Sequence, residues 1–110
     1  MTFSASTQAS FDRAADEFRR SLELEGDHPN VQVRLGNLES TLGNRVQARE
    51  AFQRALKINP GEPDAYIGLA IMDLEIGNKA DAIRNARRAV EVSPGKEAYK
   101  KFLEKLEAGQ

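Results

Sequence analysis

Residues able to do chemistry are sparse in this sequence, and none has a helper at a useful spacing. His28 is the only histidine and cysteine is absent. A transition-metal site draws on imidazole and thiolate, so it has no ligand set here, and disulfides are excluded. Glu23 with Asp27, and Glu62 with Asp64, are carboxylate pairs of the type that share acid–base work. Each pair falls at an expected helix end, where capping and the helix dipole already account for acids. Asn59-Pro60-Gly61 reads as a turn rather than a phosphate loop, because no Gly-Lys-Ser/Thr follows it. No Ser or Thr has a base that helical spacing would set beside it. Arg84, Arg87 and Arg88 share one helix face at spacings of three and four. An anion patch is the sharp reading of that face. A solvated face balanced by acids such as Glu91 is the stronger one. No catalytic residue, metal site or cofactor is therefore expected.

What these residues lack in chemistry the chain supplies in rhythm. Pro60 and Pro94 stand 34 residues apart, and their surroundings repeat with them. Gly43-Asn44 recurs as Gly77-Asn78, Leu35 as Leu69, Ala48 as Ala82 and Ala55 as Ala89. A fixed period of this length marks a stack of helical hairpins. Such stacks present a long surface to a partner.

The periodicity predicts each helix. From Pro29 to Leu42, Val31, Leu35, Leu38 and Leu42 form one apolar stripe. Gly43 supplies the left-handed residue that ends the helix, and Asn44 is placed to cap the next one. Arg45 to Ile58 turns Ala48, Phe52, Ala55 and Leu56 inward until Pro60 stops it. The pattern then repeats. Pro63 to Ile76 carries Tyr66, Leu69, Ala70, Met72 and Ile76, with Gly77 as terminator and Asn78 as cap. Lys79 to Val92 carries Ala82, Ile83, Ala86, Ala89 and Val90 before Pro94. Short connections make neighbours antiparallel.

One period earlier lies a copy of the second helix alone, over residues 10–26. Ser10 is its expected cap, and Phe11, Ala14, Phe18, Ser21, Leu22 and Leu24 its apolar positions. Residues 1–9 are too short and polar for a full helix and are expected to fray or to extend the next one. After Pro94 the period slips by one residue. Tyr99, Phe102, Leu103 and Leu106 then line one face of a helix over about 96–108, with Lys100, Lys101, Glu104, Lys105 and Glu107 on the other. That amphipathy suits a capping helix.

These residues resemble the tetratricopeptide repeat, a helix–turn–helix family with a period of about 34 residues. The resemblance covers Ser10 to Leu106. It rests on Leu35-Gly36 and Leu69-Ala70 in the first helices, and on the small pairs Ala14/Ser21, Ala48/Ala55 and Ala82/Ala89 in the second. Phe18 and Phe52 between those pairs and the stops Pro60 and Pro94 complete it. Small residues suit it, since helix axes reach about 8–10 Å only where side chains permit. Gln32 stands where the family favours an aromatic, Glu39 and Asp73 where Tyr is usual, and Ala86 where an aromatic belongs, which predicts looser packing beside the cap. The resemblance implies an all-α, right-handed superhelix, one domain over 10–108. It comprises a half repeat (10–26), repeats at 29–62 and 63–95, and a capping helix (96–108).

The resemblance also implies a non-enzymatic interaction module. In the family the first helices line a concave groove for a peptide or helix. Asn30, Val33, Asn37, Ser40 and Thr41, then Asp64, Ile67, Ile71, Leu74 and Glu75, fall on that face. The carboxylate clamp of chaperone adaptors needs cations there. Only Asn37 matches it, and Ile67 and Ile71 stand where cations are required, so an apolar peptide or helix from a protein partner is expected instead. A competing site is the end where Phe11, Ala15, Phe18 and Leu22 lack a covering helix. Either an upstream hairpin of a longer parent or a second copy in a homodimer would cover it, and docking to a larger enzyme or assembly is a further alternative. Sixteen basic against 17 acidic residues make no electrostatic case for nucleic acid. No apolar run approaches the roughly 18 residues of a membrane span, and Met1 to Ser4 do not open a signal peptide. A cytoplasmic setting is the expectation, or a periplasmic one if a targeting segment has been lost.

Overall fold

The computed structural model describes residues 5–109, with side chains from Thr7 onward. The chain forms α1 (Ala5–Glu25), α2 (Pro29–Thr41), α3 (Arg45–Ile58), α4 (Pro63–Glu75), α5 (Lys79–Val92) and α6 (Glu97–Ala108). No strand occurs among the described residues. The expectation for residues 1–9 falls partly outside this range, at residues 1–4. Residues 5–9 belong to the start of α1, so Ser10 lies inside a helix and caps nothing.

Helices pack in chain order, α2 on α3, α4 on α5 and α5 on α6, while α3 and α2 both meet α4 and join the hairpins. The radius of gyration is 15.3 Å, against about 13 Å for a compact domain of this length. The helices are stacked, not gathered round one centre.

Two hairpin corners are built identically. Gly43 and Gly77 adopt φ of 82° and 79°, a left-handed conformation that costs glycine nothing. The amides of Asn44 and Asn78 then reach back to the carbonyls of Glu39 and Asp73, at 2.8 and 2.7 Å. This is the Schellman closure of a helix C-terminus. The two asparagines sit at the N-cap positions of α3 and α5, but neither side chain caps. Asn44 Nδ2 donates to Glu39 and Asn78 Nδ2 to Asp81. Pro29 and Pro63 open α2 and α4, where a missing N–H is harmless.

Phe52 is the centre of the first core cluster, 1% exposed among Val33, Ala48, Ala55, Ala65, Leu69 and Met72. A glycine of α2 and one of α4 press on it. A Cβ on Gly36 would stand 2.6 Å from the ring, and one on Gly68 2.4 Å. A second cluster joins Ala70, Ala82, Ile83, Ala86 and Leu106, with Leu74, Phe102 and Leu103 packed against it. Ala86 is fully buried there. Ile76 and Leu24, expected inward, are exposed.

Where the family pattern has Tyr, Glu39 and Asp73 are buried, and both are paired. Arg19 donates from Nε and Nη2 to the two oxygens of Glu39, at 2.9 and 3.0 Å, and Asn44 adds a third bond. Arg49 and Asn85 donate to the two oxygens of Asp73, each at 2.9 Å. Hydrogen bonding from Arg19 holds the Glu39 carboxyl below its ordinary pKa, against the opposing effect of burial.

Tyr99 ties α6 to α4, its hydroxyl donating to Asp64. Burial, then the hydrogen bond and charge of Asp64, push the phenol up to about 12. The unfolded phenol ionises near pH 10, while the folded one keeps its proton to about 12. The stability this supplies is complete below pH 10 and is lost as pH rises through 10 to 12. Denaturant midpoints measured across that window should fall more steeply for the wild type than for Tyr99→Phe.

Candidate functional site

The faces expected to meet a partner belong to α2 and α4, whose equivalent residues lie one period apart. Along α2, Asn30, Asn37 and Thr41 are exposed and Ser40 is half-buried, with Thr41 Oγ1 donating to the carbonyl of Asn37. Along α4, Asp64, Ile71 and Glu75 are exposed and Ile67 is half-buried. Ile71 leaves 45% of its surface in solvent.

One of the expected contacts is taken by the fold and another in part. Val33 is 7% exposed inside the Phe52 cluster, because α4 packs over that side of α2 and brings Ala65 and Leu69 against it. Leu74 is half-buried against the second cluster, which α6 completes with Leu106. The apolar surface left on this face is therefore Ile71 with the open parts of Ile67 and Leu74, rimmed by amides and carboxylates.

The second expected site divides in a similar way. Ala15 and Leu22 are buried on the side of α1 that packs on α2, so neither is uncovered. Phe11 and Phe18 are exposed at 49% and 42%. They open onto a groove of about 500 Å³ whose other wall is α2, through Arg34, Asn37 and Thr41. The Arg34 guanidinium lies 5.8 Å from the centre of the Phe18 ring, within cation–π range. Asn37 and Thr41, expected on one site, thus share a pocket with Phe11, Ala15 and Phe18 of the other.

That union was missed because it depends on how α1 lies across α2, which no spacing along either helix reports. A sequence signal did exist for the Phe52 clamp. Gly68 is an extra glycine in the middle of α4, costly to a helix unless something must approach closely.

The arginines of α5 each have an acid partner: Arg84 with Asp81, Arg87 with Glu107 and Arg88 with Glu91, at 2.7 to 3.0 Å. Arg88 also lies over the Tyr66 ring. Among the described residues no cluster of three or more His, Cys, Asp or Glu could hold a metal ion. No described helix is long and apolar enough to cross a membrane.

Comparison with known proteins adds one match. A family model described as tetratricopeptide repeat fits residues 41–106, more than half of the chain. No curated protein matches.

Proposed function

This chain belongs to the tetratricopeptide-repeat family, and from that premise we propose that it is a protein-binding module that holds a peptide or helix of its partner along the α2–α4 face. Repeats of this family generally mediate protein–protein interaction and are typically non-enzymatic. The observation that carries the reading is Ile71. A large aliphatic side chain is held at a register position whose α2 counterpart is the polar Asn37, and the core does not need it. Apolar surface beyond core need marks a contact site when it is grouped, and Ile67 lies one turn away. Asn30 and Asn37 supply amides that can both donate to and accept from an extended peptide backbone.

Peptide display selection against the immobilised chain tests this. Burying an aliphatic side chain is worth about 1.5–3 kcal/mol, so Ile71→Lys should weaken selected peptides by roughly 10- to 100-fold. Arg84→Glu on α5 should leave them unchanged. Equal binding by Ile71→Lys, with helicity and melting intact, defeats this reading.

A further inference from the structure

Phe18 and Phe52 occupy the same register position one period apart, yet 42% of one is exposed and 1% of the other. Two differences lie behind this: Gly68 of α4, which closes on Phe52, is Arg34 one period earlier, and Phe18 has no counterpart of α2 among the described residues. Phe52 is covered by α2, the helix antiparallel to its own, through Gly36. No described helix covers Phe18 in the corresponding place. The Arg34 guanidinium stands over its ring.

We propose that a second copy of this chain supplies the covering helix, with α1 of each copy lying antiparallel in the α1–α2 groove of the other. Three features of the chain select that occupant. First, the internal example shows what fits: an α-helix antiparallel to the one carrying Phe. In a two-fold pair, α1 of the second copy has that polarity, and Ala14 against Ala14 lets the two axes approach at the crossing.

Second, the open stripe of α1 is self-complementary. Phe11, Ala14, Phe18 and Ser21 recur at three, four and three, the spacing of an apolar seam between helices. When two such stripes run antiparallel about Ala14, Phe11 of each meets Phe18 of the other. Large then fills the space beside small. Flanking positions Ser10 and Glu17 also face each other, a hydroxyl against a carboxylate, so no like charges are opposed.

Third, the other helix with a free outer face competes poorly. The outer surface of α6 carries Ala98, Phe102 and Ala108 but sets Lys101, Glu104 and Lys105 among them, three charges that would lose hydration in the groove. Docked into the groove, it would also build an open head-to-tail chain, whereas the α1 pair closes on itself. The inference rests on α1 and the α2 wall of its groove, where Asn37 is shared with the proposed peptide face, while Ile71 of α4 takes no part in it.

Sedimentation equilibrium over a concentration series, with circular dichroism as the control for folding, reads the association directly. The wild type should double its mass with rising concentration, and Ala14→Arg should lose the dimer while keeping its helicity. The chain has no cysteine, so a single thiol reports geometry in a second measurement. Helices with axes about 8–10 Å apart, each with Cα atoms about 2.3 Å from its axis, bring facing Cα atoms within disulfide reach. Oxidised Ala14→Cys should therefore cross-link to a dimer, and Ala9→Cys, on the opposite face of α1, should not. A wild type that stays monomeric to its solubility limit overturns the proposal. So does a dimer that Ala14→Arg leaves intact, or cross-linking that is equal at both positions.

Discussion

Phe52→Ala is expected to cost about 3–5 kcal/mol, while Phe18→Ala, at the same register position one repeat earlier, should cost the folded monomer less than about 1 kcal/mol. The two residues are chemically identical, so the contrast isolates their surroundings. Phe52 is closed in by α2, α3 and α4. Removing its ring leaves a cavity that these helices can close only by moving together, and the alanines around it have no side chain with which to fill it. Phe18 already leaves much of its ring in water, so truncation forfeits less transfer free energy and creates no enclosed void. Urea midpoints with unchanged slopes would measure both differences, at a concentration low enough for the chain to be monomeric. Comparable losses at the two positions would mean that α1 is covered in solution even when dilute.

Gly36→Leu and Gly68→Leu should each destabilise by about 1–3 kcal/mol or more. Glycine is unfavourable in a helix by about 1 kcal/mol, so propensity alone would make both replacements stabilising. Packing decides the sign. Even a single added Cβ would stand 2.6 or 2.4 Å from the Phe52 ring, well inside ordinary contact. Both added Cβ atoms would meet Cε1 and Cζ of the same ring, one from α2 and one from α4. The clash must then be relieved by separating α2 from α3, or α3 from α4, which opens the core shared with Leu69 and Met72. For a domain of this size each 1 kcal/mol shifts the melting temperature by about 4–8 °C. Phe52→Leu should recover part of the loss in a double-mutant cycle, since the coupling resides in the ring. Melting temperatures that rise in the single variants would show that Phe52 does not lie between these helices.

The helical plan was legible because the signals are local. Pro29 and Pro63 mark helix starts, Gly43 and Gly77 mark ends, and α3 and α5 run as their apolar spacing predicts. Local signals failed where a side chain had a choice of partners. Asn44 looked like a cap, but Glu39, brought alongside by the corner, takes its amide. Glu39 and Asp73 looked like departures from a pattern. Arg19 and Arg49, each from the helix that precedes the acid, make them part-buried ion pairs. No periodicity within one helix carries that information.

The candidate sites show the same division. A 34-residue step names the residues of α2 and α4 that share a face, and it finds Ile67, Ile71, Phe11 and Phe18 as apolar groups without a core role. It cannot tell which members of that face the next hairpin takes. Val33 and Leu74 have the same apolar character as Ile71, yet packing by α4 buries the first and packing by α6 covers part of the second.

By itself, then, the sequence determined the repeat and the helices of the two full hairpins, because these depend on residue type and spacing along the chain. The tertiary structure decided which apolar residues remain for partners, and it joined Asn37 and Thr41 to Phe11 and Phe18 in one groove. The physical reason is that exposure belongs to neighbouring helices rather than to a residue. Phe18 and Phe52 are the same residue in the same register, and only the helix laid across one of them makes it core.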